Sequence, residues 1–122
     1  MLTKHSSYDD IVKSWGFEII NTAMIGDYTG DFVAILYTQG MYGLFVHGYG
    51  SCSGCDELLG CETDQDMIDL ARDLRNTIRS YPDFESLKRD SLKKDGRFWY
   101  MYDKSFEGFL NETESLIVRR TH

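Results

Sequence analysis

The sequence predicts a small α+β domain in which an antiparallel sheet of three or more strands has its helices packed on one face. Strand-like segments cluster in the first half of the chain and helix-like segments in the second, an order typical of α+β rather than of alternating parallel units. A length of 122 residues with 42% hydrophobic residues suffices for one domain with its own core. We therefore assign residues 1–122 to a single α+β domain.

The first half of the chain predicts a short helix followed by three strands. Ser7 can cap a helix whose first turn holds Asp9 and Asp10. Three segments rich in apolar and β-branched residues then predict strands over 17–25, 32–37 and 41–47. The second of them is apolar on both faces, which predicts a central strand. Gln39-Gly40 separates the last two strands and predicts a hairpin.

The second half predicts three helices. Thr63 and Asp66 have the spacing of a capping box. One apolar stripe at helical spacing follows them: Met67, Leu70, Ala71, Leu74, Ile78 and Tyr81. Pro82 fits the first position of the next helix, and residues 105–115 predict the last one. The aromatic segment 97–102 predicts a short strand or extended segment.

Charge limits the class of partner. The net charge is -7, and residues 1–60 alone hold two lysines against seven acids, which is -5. Such a chain repels phosphate backbones and could attract a basic surface, so we expect no direct binding to nucleic acid. The polar start of the chain and its lack of a long apolar segment predict no membrane association. We expect a cytoplasmic protein with reduced thiols.

The Gly/Cys segment, residues 47–61, holds all three cysteines and begins His-Gly-Tyr-Gly-Ser-Cys-Ser-Gly-Cys-Asp. Four of its residues have ligand types that suit tetrahedral zinc: His47, Cys52, Cys55 and Cys61. The Cys-x-x-Cys spacing also fits thiol–disulfide exchange, although the acids that follow it disfavour a thiolate. The glycines and serines could form a backbone cradle for phosphate. A structural turn with small buried cysteines and no cofactor is the reading we favour among these.

Acidic and aromatic side chains near two predicted turns form a candidate partner-binding surface. The chain has eight Tyr and seven Phe, more than a core of this size needs, and aromatic surfaces favour protein partners. The candidate contacts are Asp27, Tyr28, Asp31, Tyr49, Asp56 and Glu57. His47 and Cys52 could form a nucleophilic Cys–His pair, but the sequence shows no evident oxyanion site or orienting acid for it. A non-enzymatic binding protein is therefore the leading hypothesis, and an enzyme that uses Cys52 or Cys55 is a further one.

Three stretches of the sequence resemble those of a known group of proteins. They are Gly-Asp-Tyr-Thr-Gly-Asp at 26–31, the run that ends in Gly-Tyr-Gly-Ser-Cys-Ser-Gly-Cys-Asp at 42–56, and the amphipathic helix that follows. In these the chain resembles small, mostly uncharacterised proteins encoded by bacteriophages and related mobile elements, tightly over 26–56 and more loosely to about residue 90. The resemblance implies a phage accessory protein in the cytoplasm of a bacterial host.

Small acidic phage proteins of this kind are commonly inhibitors, anti-CRISPR proteins among them. The expected function is therefore to bind and inhibit a bacterial host or defence protein through an acidic, aromatic surface. The alternative is a zinc-binding or small-molecule-binding protein that uses the Gly/Cys segment. The resemblance assigns no catalytic role to any residue.

Overall fold

The computed structural model describes residues 2–26, 30–49, 57–93 and 104–120. These residues form a four-stranded antiparallel sheet in the order β1-β2-β3-β4, with four helices, so the α+β prediction is confirmed. In chain order the elements are α1 (Tyr8–Ser14), β1 (Glu18–Gly26), β2 (Gly30–Thr38), β3 (Met41–Tyr49), α2 (Asp64–Arg75), β4 (Arg79–Tyr81), α3 (Phe84–Ser91) and α4 (Lys104–Arg120).

The predicted hairpin is the β2–β3 pair. Gln39 and Gly40 have φ of 49° and 81°, the left-handed pair that a two-residue turn needs between antiparallel strands. Thr38 faces Met41 across this turn, and the pairing continues without interruption to Gly30 opposite Tyr49. β3 is therefore two residues longer than its sequence prediction and includes the start of the Gly/Cys segment.

The capping box predicted for α2 is present, and the predicted N-cap Ser7 of α1 is part of a second one. Ser7 and Asp10 exchange side-chain-to-backbone hydrogen bonds at the start of α1, and Thr63 and Asp66 do the same at the start of α2. Each box satisfies two backbone N–H groups that the first helical turn leaves free.

The predicted end of α2 is wrong. The helix stops at Arg75, and residues 79–81 form β4, which pairs antiparallel with β3. Ile78 and Tyr81 continue the apolar stripe of the sequence but lie outside the helix, because the chain turns after Asn76 and returns to the edge of the sheet. Pro82 consequently precedes the N-cap residue Asp83 and is not the first helical residue of α3.

The helices cover both faces of the sheet, which corrects the prediction of a single covered face. Phe32, Ala34 and Leu36 of β2 pack with α1 and α2, and we call this core the α1/α2 cluster. Val33 and Ile35 pack with α3 and α4 in a separate α3/α4 cluster. Successive side chains of a strand point to opposite faces, so a strand that is apolar at every position needs a cover on each side.

On the α3/α4 side, a polar contact fastens β4 to α3. The Tyr81 hydroxyl donates to Asp90 Oδ2 at 2.6 Å, and Arg79 Nη2 lies 3.9 Å from the same oxygen. α4 extends five residues beyond its predicted end, to Arg120. The predicted extended segment 97–102 lies outside the described residues.

Candidate functional site: an acid-lined groove beside the Gly/Cys segment

The structure describes three of the six predicted contact residues: Asp31, Tyr49 and Glu57. The other three, Asp27, Tyr28 and Asp56, lie outside the described residues, as do two of the predicted zinc ligands, Cys52 and Cys55. His47 and Cys61, the remaining predicted ligands, are described.

Tyr49 is a core residue. Only 9% of it is exposed, and it packs in the α1/α2 cluster at the end of β3. The prediction that Tyr49 offers its ring to a partner therefore needs correction, because this position of β3 faces the helices. Side chains of a strand alternate between the two faces of the sheet, and this alternation buries Tyr49. The sequence prediction ended the strand at residue 47 and so did not include Tyr49.

Asp31 lies on the opposite face of the sheet from Tyr49 and His47. It pairs across β2 and β3 with Gly48, whereas its neighbour Phe32 pairs with His47. Burial raises the pKa of the Asp31 carboxyl above its usual value of 3.8, and the charge of the nearby His47 opposes this rise. The cause of the rise is desolvation, because a half-buried carboxylate loses part of its hydration.

His47 sits between aromatic rings on the α1/α2 face. Its ring lies 6.2 Å from that of Phe45 in a stacked arrangement and 5.7 Å from that of Tyr8. Its side chain is 19% exposed, and Nε2 lies 3.5 Å from Glu57 Oε1. The Nε2 edge of the imidazole is thus directed at Glu57.

The segment from Glu57 to Cys61 is a compact turn. The backbone N–H of Gly60 donates to the Glu57 carbonyl, and the Cys61 thiol donates to the same carbonyl at 3.5 Å. Leu58 and Cys61 pack against the α1/α2 cluster, whereas Leu59 is 53% exposed. Cys61 thus helps to anchor the turn but is only partly buried, whereas the structural interpretation predicts a buried cysteine.

An acid-lined groove of about 310 Å³ runs between this turn and α2. Its lining is Glu57, Gly60, Cys61, Asp66, Asp69, Leu70 and Asp73. Three of its carboxylates come from one face of α2, since Asp66, Asp69 and Asp73 are spaced by three and four residues. Leu70 and Cys61 contribute the apolar part of the lining.

The groove carboxylates differ in how freely they could meet a partner. Asp66 accepts hydrogen bonds from the backbone N–H groups of Glu62 and Thr63, so it is committed to the helix start. Arg72 lies 3.3 Å from Asp69 and 3.9 Å from Asp73, yet these carboxylate side chains remain 44% and 72% exposed. The Glu57 side chain is 65% exposed.

The sequence prediction missed the contribution of α2 to this acidic surface. The signal was present, because the three aspartates have helical spacing on the polar side of a clearly amphipathic segment. Only the fold places that stripe beside Glu57. Among the described residues, the acidic surface is thus built from Glu57 and α2 rather than from Asp31.

In the described part of the chain, no three His, Cys, Asp or Glu side chains are grouped so that they could hold a metal ion. Within the same ranges, no helix has both the length and the apolar composition of a membrane span.

A comparison of the chain with protein-family models, with curated proteins and with solved structures finds no match.

Proposed function

We propose that this protein binds and inhibits a bacterial host or defence protein by presenting its acid-lined groove to a basic surface. One observation carries the proposal: the exposed carboxylates of Glu57, Asp69 and Asp73 border one open groove. A net charge of -7 steers such a chain toward positive partners. The resemblance to phage accessory proteins supports a bacterial cytoplasmic setting.

The chemistry of the groove suits lysine or arginine side chains of the partner. Carboxylates accept charge-assisted hydrogen bonds from such groups, and the partly exposed Cys61 can contact their methylene stems. Arg72 already occupies part of the acidic stripe, so a partner has to compete with it for Asp69 and Asp73.

The test begins with affinity capture from a bacterial lysate, identification of the captured protein, and titration of the purified pair at two salt concentrations. The Glu57→Lys/Asp69→Lys/Asp73→Lys variant should weaken binding by about 10- to 100-fold, since each lost charge contact is worth up to about 1 kcal/mol. Arg72→Gln should strengthen binding, because it removes the competing cation.

A matched control, Glu85→Lys/Glu107→Lys/Glu112→Lys, reverses the charge of three exposed acids that do not line the groove. It changes the net charge by the same amount. It should retain most of the affinity. Equal losses in the two triple variants would mean that only the net charge matters, and unchanged binding in the groove variant would refute the proposal.

A second candidate function is a zinc or small-molecule site in the Gly/Cys segment. Its support is the spacing of His47, Cys52, Cys55 and Cys61 in the sequence. Of these, the described His47 and Cys61 contact the carboxylate and the backbone carbonyl of Glu57 respectively, and the three residues form no group that could hold a metal. Metal analysis of protein purified without a polyhistidine tag tests the zinc form, for which about one equivalent is expected. A metal content below about a tenth of an equivalent excludes it.

A further inference from the structure

We draw no further inference here: the strongest candidate, the small apolar pocket that Phe17, Leu36 and Ile78 line beside the α1/α2 cluster near the β2–β3 turn, carries nothing, because nothing in the structure shows what covers it.

Discussion

The contact between Tyr81 and Asp90 allows a quantitative prediction about stability. The Tyr81 hydroxyl donates to Asp90 at 2.6 Å, and only 9% of the tyrosine is exposed. Tyr81→Phe removes this donor but leaves Asp90 within 3.9 Å of Arg79 and of Lys93, so the carboxylate keeps cationic neighbours. We therefore expect Tyr81→Phe to lower the free energy of unfolding by about 1–1.5 kcal/mol at pH 8. This is at or just below the lower end of the range for a hydrogen bond to a charged group.

The same contact makes this loss depend on pH. Burial, followed by the hydrogen bond to Asp90 and its charge, raises the pKa of Tyr81 from 10.0 to about 12. A group whose pKa is raised by folding contributes its full stability below the unfolded pKa and loses it as the pH rises through the folded pKa. The contribution of Tyr81 is therefore complete below pH 10 and falls between about pH 10 and 12.

At pH 11 the free energy of unfolding of the wild-type chain should be about 1.4 kcal/mol lower than below pH 10, because Tyr81 titrates in the unfolded state first. The figure is one pH unit, from 10 to 11, at about 1.36 kcal/mol per unit. This figure is an upper value, because the Asp90 side chain is 33% exposed and water screens part of the interaction. Tyr81→Phe has no such group to titrate. The two proteins should therefore approach equal stability near pH 11.

Urea denaturation of both proteins at pH 8, 10 and 11 measures this difference, and all other titrating groups cancel in the comparison. A difference between the two proteins that stays constant from pH 8 to 11 would refute the reasoning. So would a variant as stable as the wild type at pH 8.

Two further predictions concern single residues of the sheet. Asp31→Asn should raise the melting temperature by about 1–3 °C at pH 7, because burial raises the pKa of Asp31 and its ionisation then costs folding stability. The gain should disappear below about pH 3, where both states are protonated, and a gain that persists there would point to another cause. Gly40→Ala should cost about 1–2 kcal/mol by urea denaturation, because φ at this position is 81° although a Cβ would contact nothing. Gly48→Ala is its control and should be nearly neutral, since a Cβ there meets Gly30 and Asp31 at 3.7 and 3.9 Å; equal costs would refute the backbone explanation.

The candidate site could be predicted only in part. Glu57 was identified as an exposed acid and is one. Tyr49 was chosen for its residue type alone and is buried, because its exposure depends on which face of β3 it occupies. The partners of Glu57 in the groove, Asp69 and Asp73, are 12 and 16 residues away in the sequence, so only the packing of α2 beside the 57–60 turn joins them.

The sequence by itself determined the features that depend on neighbouring residues. The capping boxes at Ser7 and Thr63 and the turn at Gln39-Gly40 are formed by side chains and backbone within four residues, so their chemistry is complete in the local sequence. Two features were decided by the tertiary structure alone. The end of the apolar stripe, residues 79–81, forms β4 instead of continuing α2, and the helices are divided between the two faces of the sheet. Residues 79–81 form a strand because they pair with β3, which is distant in the sequence. The helices divide between the two faces because β2 is apolar on both, and no local segment can cover both faces.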